Sequence, residues 1–129
     1  MPRPSSSQPT DVELRILRIL WEYGHSTARQ IHNHLVEDRD TNYSTTVKML
    51  SVMLNKHLVK RDETVRPQLY QPAATQERTQ KGMLGDLIQR AYDGSAGSLV
   101  LQALASQKAS PEELTEIRRL LNEIEGGEK

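Results

Sequence analysis

The segment Tyr43-Ser44-Thr45-Thr46-Val47-Lys48-Met49-Leu50 places hydroxyls and an ammonium at the start of a run with helical apolar spacing. Serine and threonine hydroxyls can bond phosphates or either edge of a base pair. A lysine can reach guanine O6 and N7, and a methyl or thioether can touch thymine. With Val47, Leu50 and Leu54 as the buried stripe, the opposite face carries Thr45, Met49, Val52 and Lys56. Lys48 and Asn55 flank that face, and Ser44 and Thr46 stand at its start. Farther on, Lys60, Arg61 and Arg66 bracket the charged run Asp62-Glu63 and are suited to phosphate contact or the adjacent minor groove. The plainer reading is a Ser/Thr capping cluster on a solvated helix. An exposed Met49 and Val52 weigh against it, since solvated faces seldom carry them.

The elements that must position these residues can be read along the chain. Thr10 and Glu13 form a capping box, and Val12, Ile16, Leu17, Leu20 and Trp21 recur at helical spacing until Gly24 stops the helix. Trp21 faces inward as a core anchor. Ser26 is expected to cap a second helix that turns Ala28, Ile31, His32 and Leu35 inward, and Glu37 to Asp40 form a polar connector. The third helix is expected from about Ser44 to Lys56. The apolar pair Leu58-Val59 and the segment Gln68-Leu69-Tyr70 then make a hairpin over residues 58–72. Three short helices closed by a hairpin are the layout of a winged helix-turn-helix, with its third helix set for a DNA groove. The predicted fold class is mainly α: this winged helix-turn-helix, with its small β-hairpin wing, followed by a three-helix C-terminal dimerisation module.

Pro72-Ala73-Ala74 marks the expected boundary, giving a winged-helix domain over 10–74 and a helical domain over 75–125. Residues 1–9 read as a disordered arm rather than a signal peptide, and 126–129 as a flexible tail. Thr75 can cap a fourth helix bearing Leu84, Leu87, Ile88 and Ala91 on one face. Asp93 to Gly97 break it, and a short apolar fifth helix follows with Leu99, Val100, Leu101, Ala103 and Leu104. Ser110-Pro111-Glu112-Glu113 is a second capping box with proline at the first helical position. It opens a last helix striped by Leu114, Ile117, Leu121 and Ile124, with Leu120 alongside, and Gly126-Gly127 end it. A module of this size rarely buries enough surface to fold alone. Its apolar faces must therefore pack on the N-terminal domain or on a second copy. A homodimer is preferred, because a symmetric DNA reader needs two heads.

The chain of 129 residues has a formal net charge of zero, so no global field drives nucleic-acid binding. The distribution is uneven: residues 43–71 carry five basic and two acidic side chains, residues 75–129 seven basic and nine acidic. With no cysteine, disulfides, thiolate zinc sites and thiol redox sensing are excluded. No apolar run is long enough to insert in a membrane, and a cytoplasmic location is expected. His25, His32, His34 and His57 lack metal-site spacing, and no nucleophile elbow, phosphate loop or zinc-protease motif occurs. No metal, no cofactor and no enzymatic activity are expected. The alternative to a DNA reader is a winged helix used only as a protein-interaction module.

The residues also carry a family resemblance over about 10–124. It rests on Glu13-Leu14-Arg15-Ile16-Leu17, Leu20-Trp21, Ser26-Thr27-Ala28 and Tyr43-Ser44-Thr45-Thr46-Val47. It continues through Leu58-Val59, Arg61, Tyr70, Gly94-Ser95, Ser98-Leu99-Val100-Leu101 and the run from Ser110 to Leu121. In this order they resemble the penicillinase-repressor family, the BlaI/MecI-like regulators that include the copper-responsive CopY branch. The resemblance implies a dimeric winged-helix repressor that binds an inverted-repeat, palindromic operator and silences a resistance or stress operon. It also implies a membrane-embedded zinc-protease sensor that cuts the repressor. The matching bond here is Gln102–Ala103, where better-known members carry Asn-Phe. The CopY branch senses metal through C-terminal cysteines, which this chain lacks. His57 stands where the family usually has glycine, so either a left-handed backbone or a slightly longer turn is expected there.

Overall fold

The computed structural model describes residues 8–127. Its elements run α1 (Asp11–Tyr23), α2 (Ala28–Leu35), α3 (Tyr43–Asn55), β1 (Val59–Asp62), β2 (Leu69–Pro72), α4 (Gln76–Ala91), α5 (Ala96–Ser106) and α6 (Pro111–Gly127). This is the predicted class of fold: three helices and a two-stranded hairpin, then three more helices. The expected arm over 1–9 lies largely outside the described residues, as do residues 128 and 129. Helix α6 runs through Gly126 and Gly127, the first two residues of the expected tail.

Each head helix begins on a side-chain cap. Thr10 and Glu13 close the capping box on α1. At α2 the cap is Thr27, paired with Gln30, and not Ser26 as expected. The physical reason is that Ser26 is already used. Its N–H and C=O exchange hydrogen bonds with Tyr70 at 3.1 and 2.8 Å, adding a rung to the hairpin, and its hydroxyl donates to the Gly24 carbonyl. Asn42 caps α3, its side-chain oxygen accepting the Thr45 N–H at 2.9 Å. Gly24 ends α1 with φ 82°, a conformation that costs a glycine little.

All five elements of the head feed one core. Ile16, Leu17 and Leu20 come from α1, Ile31 and Leu35 from α2, Leu50 and Met53 from α3, and Val59 and Tyr70 from the hairpin. Strand register pairs Val59 with Pro72 and Arg61 with Tyr70; Val59 and Tyr70 are buried, whereas Lys60 and Arg61 are exposed. Trp21 packs at the margin of this core, and its indole N–H donates to the Ala74 carbonyl at 3.0 Å.

The end of α3 is a Schellman turn. Leu58 N–H donates to the Met53 carbonyl and His57 N–H to the Leu54 carbonyl, at 2.9 and 3.1 Å. His57 sits between them at φ 61°, the left-handed conformation that glycine normally fills. This turn delivers the chain from α3 straight into β1.

The chain divides into two compact units, between Leu84 and Gly85. In the second unit Ser95 caps α5, and Ser110 with Glu113 forms the expected capping box on α6. Helices α4, α5 and α6 contain no buried residue.

Candidate nucleic-acid interface

Helix α3 turns Thr46, Leu50 and Met53 into the core, so its buried stripe is rotated from the expected Val47, Leu50 and Leu54, of which Val47 and Leu54 are half-buried. The cause is a polar anchor. Thr46 is 0 % exposed, and its hydroxyl meets Nδ1 of His32 on α2 at 2.8 Å. A buried threonine is tolerated when its oxygen is paired, and here the pairing pulls that face of α3 onto α2. Thr46 is therefore corrected: its hydroxyl serves the α2–α3 joint and faces no groove. Met49 is corrected in part, since it is half-buried and packs against the core.

The exposed face of α3 holds Ser44, Thr45, Lys48, Ser51, Val52 and Asn55. Ser51 joins this face because the buried stripe is rotated from the one apolar periodicity predicts. Lys48 makes no ion pair or hydrogen bond, and Val52 is 43 % exposed. The two hydroxyls at the start of the helix are occupied. Ser44 and Thr45 both donate to the Asn42 side-chain oxygen at 2.8 Å. A hydroxyl so engaged presents its lone pairs outward and is a ready acceptor for a base amino group. To donate to a phosphate it must first release Asn42.

Lys56, at the other end of the helix, is also occupied. Its Nζ donates to Glu13 Oε1 at 2.7 Å, and their side chains are only 20 % and 8 % exposed. Burial alone would raise the Glu13 pKa. The Lys56 and Thr10 hydrogen bonds outweigh it and hold the carboxyl below its usual range. The pair ties the end of α3 to the start of α1, and it cancels the charge expected from Lys56.

On the hairpin, Lys60 is exposed and free of any ion pair, whereas Arg61 donates to Glu63 at 2.7 Å. Hydrogen bonding to Tyr70 and then Glu63 raises the Arg61 pKa. Asp62 accepts from the Thr64 N–H and hydroxyl, which shapes the tip and lowers its own pKa. Arg66 is exposed and donates to the Glu63 carbonyl at 3.1 Å. Its charge is not met by a carboxylate. The head thus offers Lys48, Lys60 and Arg66 as unneutralised cations from the expected set.

In the second unit, Leu87, Leu101, Leu121 and Ile124 are exposed, and Leu84 is exposed just before it. Ile88, Leu99, Leu114 and Ile117 are half-buried. Val100, Leu104 and Leu120 add further exposed aliphatic surface. Gln102 and Ala103 are exposed within the last turn of α5, where the Gln102 carbonyl accepts from the Ser106 hydroxyl at 2.7 Å. Among the described residues, no three His, Asp or Glu side chains cluster as a metal site, and no helix is long and apolar enough to cross a membrane.

Comparison with known proteins places this geometry. A family model described as penicillinase repressor matches residues 9–123. A "Transcriptional regulator BlaI" of Mycobacterium tuberculosis is 27% identical over 118 residues, covering 91% of this chain and 85% of that protein. A "Penicillinase repressor" of Bacillus licheniformis is 22% identical over 122 residues, covering 95% of each. With almost the whole of both units inside the matched span, the chain belongs to the penicillinase repressor family.

Proposed function

We propose that this protein is a cytoplasmic, homodimeric transcriptional repressor, without enzymatic activity, that binds an inverted-repeat operator of a resistance or stress operon. In this reading the exposed face of α3 enters the major groove, with Lys48 directed at a base and Ser44, Thr45, Ser51, Val52 and Asn55 around it. Lys60, Arg61 and Arg66 on the hairpin follow the phosphates. The observation that carries the reading is the unpartnered Lys48 on a face otherwise made of small polar groups and one exposed valine. That face is rigidly mounted by the Thr46–His32 contact and the Lys56–Glu13 pair. A solvated helix needs no such mounting.

The aliphatic surface of α4 to α6 supports the dimer. It includes a stripe on α6 with Leu120, Leu121 and Ile124 each about half exposed. Isolated apolar residues on a surface are ordinary, but a stripe at helical spacing marks an interaction face. Two heads then engage two half-sites about 34–36 Å apart per helical turn. The second contact forms at raised effective concentration. As the resemblance implies, a membrane-embedded zinc-protease sensor cutting Gln102–Ala103 would release the operator by ending that bivalency. Both residues are helical, so α5 must first open locally to present an extended bond.

The test is equilibrium binding to the inverted repeat upstream of the protein's own gene, and to a scrambled duplex, across a salt series. Lys48, Lys60 and Arg66, the expected contacts that no carboxylate neutralises, alone give a slope of log K against log salt of about −5 for two heads. Tighter binding to the repeat with such a slope is expected. Binding that ignores salt and sequence would instead mark the head as a protein-interaction module.

A further inference from the structure

Arg29 lies on the first turn of α2. Its guanidinium carbon stands 3.9 Å from the centroid of the Tyr43 ring. Arg29 is exposed and no carboxylate pairs with it. Tyr43 is half-buried and is the first residue of α3. The Tyr43 ring is fixed in turn, because His32 meets it edge-on at 5.5 Å with an interplanar angle of 83°. His32 is the residue bound to Thr46 in the core. A chain of contacts therefore runs from the buried side of α3 through His32 and Tyr43 to a surface cation.

Stacking uses the flat face of a guanidinium and leaves its N–H donors, which lie in the plane, free for acceptors. An arginine held this way, without a carboxylate, is pre-organised to give two parallel N–H bonds to an anionic, multi-oxygen partner such as a phosphate. The adjoining residues on α3 are Ser44 and Thr45, which lead the face assigned to the groove. We infer that Arg29, held on Tyr43, is a positioning residue that grips a backbone phosphate of the operator duplex and sets how α3 enters the groove. This rests on the proposed DNA-binding function. It adds a backbone contact from α2 to those of the wing.

The test compares full-length wild type with Arg29→Ala, Arg29→Lys and Tyr43→Leu on operator and scrambled duplexes across salt, with circular dichroism and melting curves as folding controls. Arg29→Ala is expected to weaken both duplexes by a similar factor, roughly tenfold, and to shrink the salt slope by about one unit per head. Arg29→Lys keeps the charge and should restore the slope, but not the full affinity, because an ammonium lacks the planar fork. Tyr43→Leu should leave the slope near wild type while lowering affinity for both duplexes. If wild type binds with a steep slope and Arg29→Ala matches it in affinity and slope, this inference is overturned and the proposed function stands. A loss confined to the operator would also overturn it, since that marks a base contact. If wild type itself shows no salt-dependent DNA binding, both readings fall together.

Discussion

Replacing Lys56 with methionine keeps the side chain's apolar stem and removes its charge, which isolates the Glu13–Lys56 pair. Glu13 Oε1 accepts from Lys56 at 2.7 Å and from the Thr10 N–H at 2.9 Å, and its side chain is 8 % exposed. The substitution leaves a largely buried carboxylate with its Thr10 hydrogen bonds alone. Hydrogen bonds to charged groups contribute about 1.5–3 kcal/mol, and fully buried pairs broken on one side cost more. Lys56 is partly solvated, so a loss of about 2 kcal/mol is expected, or roughly 8 °C in Tm for a chain of this size. The pH dependence follows from the sign of the shift. The Glu13 pKa is lowered from an ordinary 4.5 in the folded head. Its stabilisation is therefore complete above that value and is lost as pH falls through the lowered one. The gap in Tm between wild type and Lys56→Met should accordingly narrow under acid conditions. Thermal unfolding followed by circular dichroism at neutral and acid pH reads both quantities. The double variant Glu13→Gln with Lys56→Met removes the pair without stranding a charge, and it should keep the wild-type salt slope on DNA. An unchanged Tm for Lys56→Met, or a gap that widens in acid, would refute the energetic account. A shallower slope for the double variant would return Lys56 to the phosphate contacts.

The remaining predictions bear on the turn, the groove and the dimer. His57→Gly relieves a left-handed backbone and should stabilise the head by about 0.5–1 kcal/mol without changing operator affinity, as chemical denaturation and gel shifts can check. Lys48→Ala should weaken operator binding by about 1–3 kcal/mol and narrow the preference over scrambled DNA, whereas Arg66→Ala should weaken both alike and flatten the salt slope by about one unit per head. Leu121→Asp with Ile124→Asp should give a monomer in sedimentation at micromolar concentration, with the heads folded and operator affinity collapsed. A dimer that persists would move the seam away from α6.

The architecture was largely legible because its signals are local. The Thr10 and Ser110 capping boxes and the Gly24 stop each announce themselves within a few residues, while the glycine-like position of His57 is implied by the family resemblance. The third helix is legible for the same reason, yet its rotation differs from the one its apolar spacing predicts. Apolar periodicity favours Val47 and Leu54 as core residues, and it has no means of anticipating that His32 and Thr46 pair in the core. Thr27 capping in place of Ser26 has a similar origin, since Ser26 is drawn away by a strand rung to Tyr70 that is remote in sequence. Lys56–Glu13 and Arg29–Tyr43 join separate helices at positions that no spacing rule connects. They required the packed structure, and they change which cations are left for DNA.

The central claim is that the exposed face of α3 lies in the major groove of both half-sites. Dimethyl sulfate footprinting on the inverted repeat tests it most directly, because methylation of guanine N7 reports that groove alone. Two patches of protected guanines are predicted, one per half-site, on the same side of the duplex, and both should fade with Lys48→Ala. Full occupancy of the repeat with every guanine N7 still reactive would contradict the account.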